Sequence, residues 1–561
     1  MKRSIWTILL VLVLSAMLVA CGAPAADTGA ASDADTSEEA APKGAEEEAD
    51  SEEADPEETE ATDSTEISEI ANEAGEELEV VVIEGYTPEG TLEIGHSVNH
   101  ITWDPHKDQR TISLQYLNLV YEGLLRETTD GRAFIPELAI GWEEDETGVT
   151  FTLREGVTFH DGTPFNADAV VANFDRLKAD GHNVNKGFMS SVESAEAIDE
   201  MTVRYNYSAF DGTILLTLSR FAGKMISPAA FDTVNENNPV GTGPYIYNAE
   251  ESTPDNSFKV YDFNPNYWNN NAQPVARVEL SHVTDGATRV NTLRAGEFHT
   301  AGVSAIPVMK QLEDEGYIIS TQPAVGWSAH ILDRTGSIVP ELADERVRQA
   351  MSYALNREAY WQVVNPGEPT TQHAMPGGYA FSEDIEDLNF DMEKALALME
   401  EAGNPTFTID VPSYGAFNAR NAFLASSWEP LGISLNLIEV SNIFAGCTQA
   451  QGDFPIGICP INERHIKHFV ENRLLEGGFL NPFGHVDEDI NALYEQAAPL
   501  PLDEAEPLYA EIAKLSAERG YILHLGWAAV PVAYDPERIS GVDVRFIYPG
   551  TYYAGDVELL D

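Results

Sequence analysis

From about Thr91 to the C-terminus, short stretches that alternate apolar and polar positions take turns with stretches in which apolar residues recur every three to four positions. Val149, Phe151 and Leu153 alternate in this way, as do Val203, Tyr205 and Tyr207, then Phe407, Ile409 and Val411, and finally Ile433, Leu435 and Leu437. A period of two places one side of a strand against a core and leaves the other wet, so each run predicts a half-buried strand. Between them, Val170, Val171, Phe174 and Leu177 line one helical face behind Asn166, a residue suited to accept from the first free N–H groups of a helix. Asp344 opens a second helix with Val347, Met351, Ala354 and Leu355 inward, and Asp391 a third that turns Leu396 and Met399 inward and stops at Gly403. Two more stripes follow, at Ile490, Leu493, Tyr494 and Ala497 and at Leu508, Tyr509, Ile512 and Leu515. Strands interleaved with helices over the whole length predict an α/β fold whose sheets are covered by helices.

The first ninety residues do not share this pattern. Lys2 and Arg3 precede an apolar run from Ile5 to Ala20, shorter than a comfortable bilayer span, which predicts a secretory signal peptide over residues 1–20. The run ends in Leu18-Val-Ala-Cys21, which resembles a lipobox, and Cys21 is then the residue that would carry lipid. An ordinary signal peptide with an incidental cysteine is the other reading. Residues 21–86 are Ala, Glu, Asp, Ser and Thr with Lys43 as the only base, too polar to bury a core, and predict a disordered tether.

Charge and length narrow the function classes. With 32 basic against 93 acidic residues the net charge is −61, which argues against nucleic acid as a partner and suits high ionic strength. The folded part is too long for one ordinary core, so two or three lobes are expected. Besides Cys21 only Cys447 and Cys459 occur, and either a disulfide or two buried thiols fits an oxidising compartment. No Gly-x-Ser-x-Gly, His-Glu-x-x-His or phosphate-binding loop is present, although a catalytic pair among so many carboxylates would leave no such trace.

One segment is more specific. Phe151-Thr-Leu-Arg-Glu-Gly-Val-Thr-Phe-His-Asp-Gly-Thr-Pro-Phe-Asn-Ala-Asp-Ala-Val-Val-Ala-Asn-Phe-Asp-Arg176 resembles the signature of the extracellular solute-binding proteins of family 5, the oligopeptide, dipeptide and nickel type. Trp103-Asp-Pro-His106, Val120-Tyr-Glu-Gly-Leu124, Gly241-Thr-Gly-Pro-Tyr245, Asn264-Pro-Asn-Tyr-Trp268, Leu293-Arg-Ala-Gly-Glu297 and Val347-Arg-Gln-Ala-Met-Ser-Tyr-Ala-Leu-Asn-Arg357 are similar to that family in the same order. The resemblance implies a large two-lobe periplasmic-binding-protein-like fold of class II. Lobe I would hold residues 87–305 with an inserted subdomain at about 125–237, lobe II residues 306–530, and residues 531–561 would return to lobe I.

It also implies a binding subunit and not an enzyme. The chain would capture a peptide between hinged lobes, as a monomer held outside the cytoplasm by its lipid, and deliver it to an ABC permease with its ATPases. An opine, an oligosaccharide or a nickel chelate is an alternative cargo; an adhesin or a hydrolase is an alternative role. In peptide-binding relatives an acidic residue after a lobe II strand pairs the ligand's amino terminus. Aligning Phe454-Pro-Ile-Gly-Ile458 puts Cys459-Pro-Ile-Asn-Glu463 there, so Glu463 would supply the carboxylate and Asn462 hydrogen bonds, with a plain surface position as the other reading. Trp103, Tyr121 and Trp327 are candidate aromatic walls of the cleft, each with core packing as its alternative, while Trp142 and Trp268 read as core. His465 and His468, three apart, are better read as exposed residues of a polar helix than as metal ligands. No cofactor is expected.

Overall fold

The computed structural model describes residues 85–560 apart from 109, 129–130, 364–366, 372, 375–377, 382–388, 416–417, 442–451, 462–464, 543 and 545–556. Strand β1 (Thr91–His96) starts a sheet to which later segments return. Before they do, the chain builds an inserted subdomain of four antiparallel strands, β2 (Ala139–Asp145), β3 (Gly148–Leu153), β4 (Val192–Asp199) and β5 (Thr202–Tyr207), in the order β2-β3-β5-β4. Helix α1 (Ala167–Asp180) packs on it, and Val149, Phe151, Leu153, Val203 and Tyr205 meet Val170, Phe174 and Leu177 in one apolar cluster. Asn166 caps α1, its Oδ1 accepting from the Ala169 N–H at 3.0 Å. The turn before it closes on Asp161, which accepts from the Thr163 N–H at 2.9 Å, with Gly162 at φ +82°, a conformation that strains any residue carrying a Cβ.

Strands β6 (Tyr245–Tyr247), β7 (Phe258–Phe263), β8 (Arg277–His282), β9 (Thr300–Gly302) and β10 (Ile318–Ser320) then complete the lobe I sheet together with β17 (Val532–Tyr534), in the order β10-β17-β9-β1-β8-β7-β6. Helix α2 (Ile306–Asp314) sends Leu312 into a cluster with Phe298, Ala301 and Ala533 of this lobe. Residues 306–320, which the sequence assigns to lobe II, are therefore part of lobe I, because β10 finds its hydrogen-bond partner in β17.

Two short connections cross to lobe II. Strand β11 (Pro323–Ile331) leaves two residues after β10, and β16 (Ile522–Ala529) comes back two residues before β17, the pair lying side by side with Pro323 opposite Ala529. With β12 (Gly367–Glu368) and β15 (Ile456–Ile461) they form an antiparallel sheet ordered β12-β16-β11-β15. One face is covered by α3 (Glu345–Tyr353), α4 (Met392–Glu401) and α5 (Asn418–Trp428), the other by α6 (Ile466–Arg473) and α8 (Leu502–Glu518), with α7 (Glu488–Ala497) beside them. A separate parallel pair, β13 (Phe407–Ser413) and β14 (Ile433–Glu439), adds Ile409, Val411 and Ile433 to the first of these cores.

Two details of the sequence reading change. Leu437 is 48 % exposed and Leu396 45 % exposed, so β14 buries only its start and α4 turns Ala395 and Met399 inward. A two-stranded ribbon has only part of its length over a core, and alternation beyond that part has nothing to pack against. Among the described residues no helix is long and apolar enough to cross a membrane.

Candidate functional site

The lobes meet where β15 hands over to α6. His465 caps that helix, its Nδ1 accepting from the Lys467 N–H at 3.0 Å, which leaves the ring hydrogen on Nε2. One turn on, Lys467 Nζ reaches Asp211 Oδ1 of the inserted subdomain at 2.5 Å, both side chains 11 % exposed. His468 stacks on Phe188 of the same subdomain with ring centres 4.3 Å apart, and its Nε2 lies 3.3 Å from Thr213 Oγ1. Asp211 also accepts from the Thr213 N–H and hydroxyl and from Ser191, so this carboxylate is saturated. Burial pushes Asp211 up, but Lys467 and the hydroxyl donors outweigh it and hold the acid below its usual range. Burial first, and neighbouring cations second, keep His465 far below the normal histidine value; burial lowers His468 to about 4.

This corrects the reading of His465, Lys467 and His468 as an exposed polar helix face: all three are buried, because the inserted subdomain covers them. A second contact runs from Arg132 to Glu506 at 3.3 Å, and the Tyr379 hydroxyl donates to the Arg132 carbonyl at 2.7 Å. Ion pairs, a ring stack and hydrogen bonds thus join the inserted subdomain and its neighbourhood to lobe II.

The aromatic candidates separate. Trp103 lies in the lobe I core, 2 % exposed, between His100 and Tyr247, and its Nε1–H donates to Asn237 at 3.1 Å. Tyr121 is wholly buried against Gly241, where an added Cβ would fall 2.1 Å from the Val120 carbonyl oxygen and 2.7 Å from the Tyr121 ring; the approach of that backbone is the main reason for glycine there. Core packing, the alternative that the sequence leaves open for both, accounts for these positions. Trp327 is half-buried at the middle of β11, with the Arg420 guanidinium 3.6 Å from its ring centre. Trp268 donates to Glu122 under the Arg154 guanidinium, and Trp142 packs at the rim of the inserted core. Cys459 is fully buried and disulfide-bonded; Cys21 and Cys447, the other cysteines, lie outside the described residues, as do Asn462 and Glu463. Among the described residues no three His, Cys, Asp or Glu side chains are grouped to hold a metal ion.

Sequence reasoning missed the polar face of the lobe II sheet. Ser328 and His330 on β11 and His524 on β16 share one side, opposite the apolar one. The available signal was a histidine inside each of two otherwise apolar central strands, Gly326-Trp-Ser-Ala-His-Ile331 and Ile522-Leu-His-Leu525. Asp211 and Lys467 gave no such sign, since both are ordinary surface types that become buried only where two lobes meet.

Comparison with known proteins agrees with this architecture. The chain is 28 % identical over 365 residues to heme-binding protein A of Haemophilus influenzae, a match covering 56 % of this chain and 64 % of that protein. It is 30 % identical over 312 residues to the glutathione-binding protein GsiB of Pectobacterium atrosepticum, covering 54 % and 59 %. The matched stretch thus spans about three-fifths of the length of these curated relatives. The solved structure of HbpA2 from Haemophilus parasuis superposes with a TM-score of 0.73 at 22 % identity, covering 84 % of this chain and all of that one, which shows the shared two-lobe fold. Residues 133–462 match the middle region of the family 5 bacterial extracellular solute-binding proteins, and the chain belongs to that family.

Proposed function

We propose that the chain is the extracytoplasmic binding subunit of an ABC importer, closing two lobes over a peptide and passing it to a membrane permease driven by ATPases. It acts as a receptor without turnover. The observation that carries the reading is the edge position of β15: among the described residues it pairs on one side only, with β11, and the next described helix, α6, makes the contact between the lobes. A strand edge offers a row of backbone N–H and C=O groups, and an extended peptide satisfies them by adding as another strand, largely irrespective of its side chains. A sugar or a metal chelate has no such backbone to offer. Glutathione, named for the relative GsiB, is itself a small peptide.

In this reading Asn462 and Glu463, next along the chain after β15, meet the ligand's amino terminus, and Trp327 forms part of the wall. Cys21 carries the lipid, residues 21–86 hold the folded part off the membrane, and one copy suffices. Thermal unfolding of the purified chain against peptides, amino acids, sugars, opines, heme and nickel-histidine mixtures tests the proposal. A ligand at 100 times its dissociation constant adds about 2.7 kcal/mol to stability, a shift easily seen. Stabilisation by peptides, reduced by Glu463→Gln, is the expected result; a shift with sugars or chelates alone would replace the cargo, and consumption of a compound would remove the receptor reading.

A further inference from the structure

Strand direction fixes which edge of the lobe I sheet borders lobe II. Strands β8 and β9 run parallel to β1 on either side of it, and β17 runs against β9 with Val532 opposite Gly302 and against β10 with Val532 opposite Ser320. Both crossings to lobe II, after Ser320 and before Val532, therefore leave the sheet at the carboxyl ends of β1, β8 and β9, where the Val303 N–H donates to the Pro531 carbonyl at 3.0 Å. Open α/β sheets take their ligands in the crevice outside such carboxyl ends. The loop of residues 97–103, which follows β1, lies at this edge.

That loop is held firmly and yet shows apolar side chains. Lys259 of β7, wholly buried, sends Nζ to Asn99 Oδ1 and to the Asn256 carbonyl, each at 2.5 Å, and sits 4.5 Å from the centre of the Tyr116 ring. Asn99 Nδ2 donates to the Asn256 carbonyl at 2.9 Å, and Arg110 donates to the Asn99 carbonyl at 3.2 Å. Asn235 Oδ1 accepts from the Thr102 hydroxyl at 2.6 Å and from the Trp103 N–H at 3.2 Å. The Lys259 ammonium makes no ion pair among the described residues, and burial pushes it down to about 7, so the fold gives up stability to hold this loop. On that braced backbone Ile101 is 69 % exposed and Val98 37 % exposed. The loop carries no Asp, Glu, Lys or Arg, and burial lowers His100 to about 3, which keeps it neutral. In a chain with 93 acidic residues, an ordered, charge-free edge that shows aliphatic side chains beside a crevice suits an uncharged apolar group.

We infer that Ile101 and Val98 receive an apolar side chain of the bound peptide, which makes peptides with aliphatic residues the preferred cargo; the inference rests on the peptide reading proposed above. A peptide added to the β15 edge turns alternate side chains to opposite sides, and those turned toward lobe I meet this loop. The rival occupant is another protein docked on the loop, which would leave peptide affinity indifferent to changes at these two positions.

Calorimetric titration of the purified full-length chain with pools of tri- to pentapeptides containing one Leu, and with the same pools carrying Ser in its place, decides between them. Burial of a leucine side chain predicts that the Leu pool binds at least about tenfold tighter than the Ser pool. Ile101→Ser should cut that ratio at least about threefold, and Val98→Ser added to it should cut the ratio further, while affinity for the Ser pool stays unchanged. Ile101→Val, which keeps an aliphatic surface, should hold the ratio within about twofold of the original. Because Ile101 is mostly exposed, Ile101→Ser should leave the melting temperature in place, so that a lost preference is not a folding defect. Equal binding of the two pools, or a Leu preference that survives both serine substitutions, overturns the inference while the peptide reading stands. If no pool binds, that reading falls and takes this one with it.

Discussion

The inserted subdomain and lobe II are both antiparallel sheets covered by helices, but they fill the space between those layers differently. In the insert, β3 and β5 press Phe151, Val203 and Tyr205 onto α1, while the other face shows Thr150 and Arg204 to water. Lobe II covers both faces of its sheet, one with an apolar core and the other with Ser328, His330, His524 and Arg473 among its apolar residues. A solvated face tolerates polar groups at no cost, whereas a covered one must satisfy them or leave them in want. The insert therefore only has to pack, whereas lobe II must also pair the polar groups that its second cover buries, as Ser328 does with His524 and Arg473 with His330.

Acid should widen this contrast more than any single substitution. His96, His100, His106 and His160 of lobe I and His330, His373, His465, His468, His485 and His524 of lobe II are all held below the usual histidine range, in each case first by burial. An imidazole that stays neutral in the fold until about 4 but takes a proton near 6.5 when unfolded contributes stability in full above 6.5. That contribution is lost as pH falls from 6.5 toward 4, at about 1.4 kcal/mol per pH unit for each proton the unfolded chain holds in excess. Lobe I has an opposing term. Burial raises Glu122 to about 8 and Glu144 to about 7, so both keep their protons in the fold and favour it increasingly as pH drops toward the unfolded carboxylate value. Hydrogen exchange at pH 7, 6 and 5 should show lobe II strands losing protection before β3 and β5; simultaneous loss would mean that the two regions respond to acid as one.

A smaller effect is expected at the ion pair that links the regions. Lys467→Met leaves Asp211 buried without its cation and should cost about 3 kcal/mol, read from the denaturant midpoint. The double variant Asp211→Leu/Lys467→Met should recover most of that, since a buried pair and a pair of apolar side chains of similar size differ little. Failure to recover would show that the hydrogen bonds from Thr213 and Ser191 to Asp211 carry the contact between lobes.

The same contrast sets how far the sequence could be read. Alternation located β3, β5, β13 and the buried start of β14, and the caps at Asn166, Asp344 and Asp391 all hold their helices, with donors at 3.0, 2.9 and 2.9 Å. These features are local: a capping oxygen and the backbone N–H that donates to it lie within three residues. The candidate site depends on residues such as Lys467 and Asp211, 256 positions apart, and no periodicity registers a partner at that distance. The early boundary for lobe II failed for a related reason, because β10 is defined by pairing with a strand more than two hundred residues later.

Leu437 gives the smallest and sharpest test of where alternation stops informing. Read as the inward residue of a half-buried strand, it would lose about 1.5–3 kcal/mol of burial on removal of its side chain. In the structure it is 48 % exposed at the far end of β14, beyond the reach of the core that holds Ile433 at 1 %. Leu437→Ser should then change the melting midpoint by no more than a surface substitution does, within about 0.5 kcal/mol, whereas Ile433→Ala on the same strand should cost about 2–5 kcal/mol. A large loss at Leu437 would mean that another surface covers this ribbon in solution, and the exposed end of lobe II would become an interface.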